Sequence, residues 1–554
     1  VLRLKLNLKD LLCMTEFYKF ECGCKFPILK KNKEFISVDF DANIENISLD
    51  CQKTWDLISE GNTKGCFQLE SRLGQSIAKK LKPTNIEQLA ALISILRPGC
   101  LEAYRDGKSV TNHYIDKKNG LESVDYYHDS LIDILNKTYG EMIYQEQAMR
   151  ITQQIAGFDL QEADMLRKAI GKKKPEEMAK VKTKFIEGCK QLDIVNEEQA
   201  AEIFTWIEKS QRYSFNKSHA VSYAMNAYLS AYSKAHFPKI FFASYLRFAK
   251  DKIDPQQEIK ELTRNAIEMD ISVSIPDIRN LNKHFVLNDK KIYFGLTDVK
   301  GVGESVYNKI LTLIQENNLD LQSMNWVQIV SKILLKINST ASKALISCGA
   351  LDFLKKNRTE MLFEYDICSS LTKKELEYFI EYTKDESNLV KLLQSVYNTK
   401  RVNKNRKETI TNLIATIHKP PYSLIDKIEW LSDSENSLLG VAITCSKLDT
   451  YDIGMANTNC KDFKTCLSDK NIILAAEISN VNVTKTKKGK TPGLEMCFVS
   501  GEDQYGMLDS IIMFPNQYAK YKEHLYSGNV LIFIGNRSKA KDSLIVDKCF
   551  TPSA

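Results

Sequence analysis

The sequence predicts a multidomain α+β protein, mainly helical as far as residue 427 and closing in a small β-barrel. Three observations predict it. At 554 residues the chain is too long for one compact core, and the usual domain size suggests about three or four domains. From residue 51 to about 270, apolar residues recur at three- and four-residue spacing with few breakers. From Asn471 the pattern changes to short β-branched and aromatic runs separated by turn residues.

Taken in order, the first ten residues alternate apolar and polar side chains like a strand. The helical stretch includes Ile86 to Leu96, Gln145 to Ile155, Glu197 to Lys209 and Ser222 to Lys234. A short strand, Lys291 to Phe294, precedes a Gly-punctuated turn and another helix, and Gly349 suits the end of a helix covering Ala341 onward. Residues 355 to 427 are rich in Lys, Glu and Asn and hold the breaker Lys419-Pro-Pro421, which predicts a charged helical connector. The last region reads as strands at Ile472 to Val483, Leu494 to Ser500, Leu508 to Phe514 and Val530 to Ile534, with a helix near Asn516 to Leu525. Four or five strands with one interposed helix fit a small oligonucleotide-binding barrel, the OB-fold. The expected domains are 1–50, a connecting segment; 51–270; 271–355; 356–465, a connector; and 466–554.

Composition narrows the function classes. No window approaches the run of about 20 apolar residues that spans a bilayer, and the N-terminus has neither an apolar h-region nor a small-residue cleavage site. A cytoplasmic protein without membrane contact is expected. The net charge of +7 is modest for this length, so any polyanionic partner must be argued from local charge. Fourteen cysteines are scattered, and the close pairs Cys22/Cys24 and Cys460/Cys466 lack Cys-x-x-Cys spacing, so reduced core thiols are expected and not a zinc site.

Three blocks carry chemistry. The first is Gly65-Cys-Phe-Gln-Leu-Glu-Ser-Arg72 with Ala90-Ala-Leu-Ile-Ser-Ile-Leu-Arg-Pro-Gly99. The second is Tyr139-Gly-Glu-Met-Ile-Tyr-Gln-Glu-Gln147, followed by a basic run in which Arg167, Lys168, Lys172, Lys173, Lys174 and Lys180 crowd around Gly171 and Pro175. That density favours phosphate contact, with a solvated helix face as the plain alternative. The third is Tyr213-Ser-Phe-Asn-Lys-Ser-His-Ala220 ahead of a helix. It groups an amide, an ammonium, a hydroxyl and an imidazole in one turn, a set suited to a triphosphate and sugar at a helix start.

These blocks, in this order and spacing, resemble the fingers domain of the bacterial C-family replicative polymerases, the DNA polymerase III alpha subunits. The resemblance continues through His236-Phe-Pro238, through Gly295-Leu-Thr-Asp-Val-Lys-Gly-Val-Gly303, which is similar to the family's helix-hairpin-helix, and through Glu435-Asn-Ser-Leu-Leu-Gly-Val441 before the barrel. It implies that Arg167 and Lys168 grip the incoming dNTP triphosphate, Lys168 standing where the family commonly has Arg and so acting as a point charge. It also implies that Phe215, Asn216, Ser218 and His219 lie against the incoming nucleotide. Ser214 replaces a usual Gly, which leaves the backbone just before that loop open.

The family's catalytic carboxylates, which hold two Mg2+ ions, lie in a palm before the fingers, and only about fifty residues precede the fingers here. Asp39 and Asp41 form an Asp-x-Asp pair but lack the rest of a palm, and are expected as surface or turn residues. No catalytic or metal-binding residue is therefore expected in this chain, and the resemblance omits the family's PHP domain, most of the palm and the clamp-loader-binding tail. The glycines of Lys300-Gly301-Val-Gly303 would let backbone N–H groups approach duplex phosphates. Lys172, Lys173 and Lys174 would add phosphate contacts, as would Lys485, Lys487 and Lys488 at a basic hairpin tip of the barrel, which otherwise is a solubilising turn. The expected function is DNA-templated DNA synthesis on primer-template DNA with dNTPs, completed by a separate palm chain, a sliding clamp being a further candidate partner. The alternative is a noncatalytic DNA-binding remnant or regulatory paralogue, in which the triphosphate residues would have drifted.

Overall fold

The computed structural model describes residues 2–7, 17–19, 25–31, 35–40, 45, 47–171, 175–210, 213–288, 290–383, 386–400, 402–464, 469–486, 492–538 and 543–553, with backbone alone before 45 and at 169–171, 175–177 and 464. The chain forms two compact units, Val1–Phe237 and Pro238–Ala554. Among the described residues no helix is long and apolar enough to cross a membrane.

The first unit opens with a four-stranded antiparallel sheet in the order Leu2–Asn7, Phe35–Phe40, Lys25–Lys31, Phe17–Lys19, with Asp39 opposite Arg3 in register. Helices follow. The longest, Lys217–His236, buries Ala220, Ala224, Ala227 and Ala231. This stripe of small side chains at helical spacing lets the helix Ile86–Ile95, buried continuously from Leu89 to Ile95, pack closely against it. Ser71, Asn85 and Asn216 each accept a backbone N–H three residues on and so set where helices begin. A second core gathers Ile151, Ile155, Phe185, Phe204 and Ile207 from the helices Gln145–Ala156, Pro175–Leu192 and Glu197–Ser210, with Phe158 from the loop after the first.

The second unit begins with Pro238–Phe248 and Pro255–Glu268, which pack on each other, and a three-stranded sheet of Val273–Ser274, Lys291–Tyr293 and Val286–Asn288. Gly303 caps Glu304–Glu316, and Trp326–Lys332 and Ser339–Ser347 complete the hairpin region. The charged connector forms four helices, Arg358–Ser369, Lys373–Tyr382, Leu389–Asn398 and Lys404–His418.

The barrel is closed, in the order Ile472–Lys485, Glu495–Asp503, Gly506–Met513, Leu544–Phe550, Val530–Arg537. All pairings are antiparallel except Gly506–Met513 with Leu544–Phe550, and the helix Pro515–Tyr521 lies in the chain between Gly506–Met513 and Val530–Arg537. Ile472, Leu474, Ala476 and Ile478 fill the interior. Ala475, on the opposite face of the same strand, is covered together with Val530 and Ile532 by Leu448. Burial on both faces is why this segment reads as an unbroken apolar run.

Candidate nucleotide site and nucleic-acid interface

In the first unit the loop before Lys217–His236 is tied to the start of the helix Gln145–Ala156. The Phe215 amide donates to the Ile143 carbonyl at 2.9 Å and the Gln145 amide to the Phe215 carbonyl at 3.0 Å, a parallel bridge between Tyr144 and Phe215. Gln147 Oε1 accepts from the Ile143 and Tyr144 amides at 3.0 and 2.9 Å, fixing that strand-like entry from within its own helix. Glu146 then reaches across: its Oε1 accepts from Asn216 Nδ2 at 2.8 Å and its Oε2 from the Lys217 amide at 2.9 Å. Asn216 Oδ1 caps the helix by accepting from the His219 amide at 3.0 Å.

Both polar atoms of the Asn216 side chain are thus engaged within the protein, and the Lys217 and His219 amides are occupied. The anion at this helix start is Glu146. A phosphate here meets projecting side chains instead of a row of free helix N–H groups. Ser218 and His219 are exposed, and Phe215 is half-buried beneath the Arg97 guanidinium, which lies 4.0 Å from its ring centroid. Ser214 does not have positive φ; its hydroxyl donates to the Ser210 carbonyl at 2.8 Å, so serine fits this backbone without strain.

Arg167 and Lys168 project from the helix Leu160–Gly171 and share one carboxylate. Asp164 Oδ1 accepts from Arg167 Nε at 2.8 Å, and its Oδ2 takes Lys168 Nζ at 2.7 Å. The two cations hold the Asp164 carboxyl below its ordinary range. Among the described residues no hydrogen bond, ion pair or ring contact joins this pair to the Phe215–His219 loop, so the structure organises the triphosphate candidates as two separate groups. Lys172, Lys173, Lys174, Lys487 and Lys488 lie outside the described residues. Lys485 is exposed at the end of its barrel strand.

In the second unit Gly301 adopts a φ of +94°, which favours glycine, and turns the chain beside Thr340 and Ala344. A side chain at Gly303 would meet nothing within 4 Å, so the start of Glu304–Glu316 is open to close approach. Lys300 is exposed while its amide donates to the Leu438 carbonyl at 2.9 Å. The Glu435–Val441 block is structural: buried Glu435 pairs with buried Arg358 at 2.9 Å and accepts from the Ile443 and Thr444 amides at 2.6 and 2.9 Å.

Sequence reasoning missed the parts that Glu146 and Arg97 play in holding this loop. Their contacts left no signal, since their partners are distant in sequence.

Residues 26–193 match the family model for the bacterial DNA polymerase III alpha subunit finger domain, and residues 270–361 match a helix-hairpin-helix motif. The first match includes Arg97, Glu146, Arg167 and Lys168, and it ends before the Phe215 loop. These matches define the class, a chain that carries a polymerase finger domain and a helix-hairpin-helix segment. The chain is 31% identical over 513 residues to the DNA polymerase III subunit alpha of Aquifex aeolicus, covering 92% of this chain and 39% of that protein. It is 31% identical over 525 residues to that of Pseudomonas aeruginosa (92% and 42%) and 30% identical over 507 residues to that of Escherichia coli K12 (90% and 41%). The chain is thus a relative of the bacterial DNA polymerase III alpha subunit and corresponds to a C-terminal portion of it, spanning about two-fifths of the length of these curated relatives.

Proposed function

We propose that this chain serves DNA-templated DNA synthesis in DNA replication, supplying nucleotide contacts and DNA grip while a separate palm chain supplies the metal chemistry. The observation that carries this reading is the Glu146–Asn216–Lys217 clamp, which fixes a loop presenting Phe215, Ser218 and His219 in the same compact unit as the finger-domain match. Arg167 keeps a guanidinium edge unpaired among the described residues, and it offers the planar fork that suits phosphate oxygens. Lys168 adds a point charge beside it. In the second unit, the open turn at Gly301 and Gly303 supports contact with duplex phosphates. The strand order of the closed barrel, with a helix in the chain between Gly506–Met513 and Val530–Arg537, supports an OB-fold that follows a single strand through Lys485.

Among the described residues no three His, Cys, Asp or Glu side chains gather into a metal-holding group. Those residues do not fit a pair of Mg2+ ions. The two ions of polymerase chemistry belong, in this reading, to the palm of the other chain. A sliding clamp is a further partner in this reading, and the cytoplasm is its compartment.

The test is primer extension with and without a palm-bearing chain. The purified chain alone is expected to give no magnesium-dependent extension, and mixing is expected to restore it. In the mixture, Arg167→Ala should lower catalytic efficiency for nucleotide by about 10- to 100-fold with primer-template affinity nearly intact, as loss of a charged hydrogen bond predicts. Lys180→Ala is the control. Robust extension by the chain alone, or equal effects of both substitutions on DNA affinity with none on nucleotide efficiency, would overturn the proposal.

A further inference from the structure

A row of aromatic rings runs along the first unit beyond the residues used above. Phe215, His219 and Tyr223 recur every four residues and so share one face of the chain entering and forming the helix Lys217–His236. Their ring centroids are 6.5 and 6.2 Å apart, the second pair stacked at an interplanar angle of 20°. Phe67 continues the row from a distant turn, meeting Tyr223 edge-on at 5.4 Å and 87°. The Phe67 amide donates to Ser230 Oγ at 3.0 Å, so the turn is fastened to the same helix. At the other end, Arg97 covers Phe215 and remains exposed. Beside Arg97 opens a cleft of about 380 Å³ lined by Gln68, Ser71, Leu73, Ile93, Leu96 and Pro98.

These rings are not core. Phe67 is 40% exposed, His219 is exposed and Tyr223 is half-buried. Aromatic side chains held at the surface in series, with a guanidinium at one end, match the repeating chemistry of a nucleic-acid single strand, in which a flat base alternates with an anionic phosphate. A duplex keeps its base faces stacked and offers none to such a row. A lone nucleotide would engage one ring and leave the others unused.

We propose that Phe67, Tyr223 and His219 form a stacking platform for unpaired bases of the DNA template strand, with Arg97 paired to a phosphate of the same strand. The proposal rests on the nucleotide-site assignment of the neighbouring loop and extends it from the incoming nucleotide to the template.

The experiment uses the full chain and a primer-template whose single-stranded 5′ overhang carries 5-iodouracil, irradiated and mapped by mass spectrometry. Crosslinks are expected on Phe67, His219 or Tyr223. The pair of substitutions Phe67→Leu and Tyr223→Leu should lower their yield about tenfold, the order expected for losing one stacked base. Tyr223→Phe should retain the yield, because the platform needs the ring and not the hydroxyl. Tyr223→Leu alone replaces the double variant if the latter no longer unfolds cooperatively. Crosslinks confined to residues after Phe237, or a yield that Tyr223→Leu leaves unchanged, would overturn the platform. Arg167→Ala separates the two ideas: a nucleotide defect in that variant with no platform crosslinks in the parent rejects the platform alone, whereas platform crosslinks without any nucleotide defect reject the triphosphate assignment alone.

Discussion

Glu146 and Asn216, seventy residues apart in the chain, are joined by a 2.8 Å hydrogen bond, and the same carboxylate also takes the Lys217 amide at 2.9 Å. A negative side chain near a helix N-terminus is favourable because of the partial positive charge there. In this molecule that charge is already answered from within. The loop is held in place by an internal anion and presents its neighbouring side chains outward.

Replacing Glu146 by Ala should therefore loosen the loop before any ligand is present. It removes two charge-assisted hydrogen bonds, each worth about 1.5–3 kcal/mol, and a loss of about 3 kcal/mol or more from the stability of the first unit is expected. Hydrogen exchange of the Lys217 amide should accelerate. Glu146→Gln, whose amide oxygen still accepts one bond, should recover part of both effects; equal exchange rates in all three proteins would count against the clamp.

His236 gives the first unit a pH dependence. Its ring nitrogen lies 3.2 Å from Cys51 Sγ and its ring packs on Tyr232 at 4.2 Å. Burial, with Lys53 adding to it, lowers the imidazole from its ordinary 6.5 to about 4. Between those values the unfolded chain takes up a proton that the folded chain refuses, so stability is lost as pH falls from 6.5 toward 4. His236→Phe should flatten the fall in the unfolding midpoint across that window. Parallel curves for the two proteins would refute the assignment.

The ion pair between Arg358 and Glu435 is buried on both sides, with side chains 3% and 0% exposed. Arg358→Met leaves a carboxylate in the core and should cost about 3–5 kcal/mol in denaturant unfolding of the second unit. Glu435→Gln should cost less, since its single amide oxygen can still accept from the Ile443 and Thr444 amides, which share one oxygen of Glu435.

Gly303 permits a test free of folding side effects. Its φ is −82° and a Cβ there meets nothing within 4 Å, so Gly303→Asp should leave the thermal midpoint nearly unchanged. A carboxylate at the helix start repels phosphate and should lower duplex affinity about tenfold at low salt, the gap narrowing as salt screens it. An unaffected affinity would remove this turn from the DNA interface.

Local patterns in the sequence located most elements but not their partners. The apolar period placed Ile86–Ile95, Gln145–Ala156 and Glu197–Ser210 within a residue or so of their observed bounds, because each buries one face or more. Helix Lys217–His236 begins five residues before its apolar period suggests, since the Asn216 cap, and not burial, sets its start. The last barrel strand, Leu544–Phe550, was not placed individually, its apolar run being short and ending in the charged pair Asp547-Lys548. In the candidate site, the Phe215–His219 block was legible as a block. That Asn216 is held by Glu146, and Phe215 covered by Arg97, was not, because both depend on how distant segments fold together.

Lys234 is fully buried near the far end of the helix Lys217–His236, its ammonium donating to the Asn62 and Lys64 carbonyls at 2.9 Å. The helix has twenty residues and is thus about 30 Å long, with the Asn216 loop at one tip and this anchor at the other. A rod fastened at both ends transmits displacement along its axis, so substitutions around Asn62 are expected to shift the Asn216 loop a helix length away.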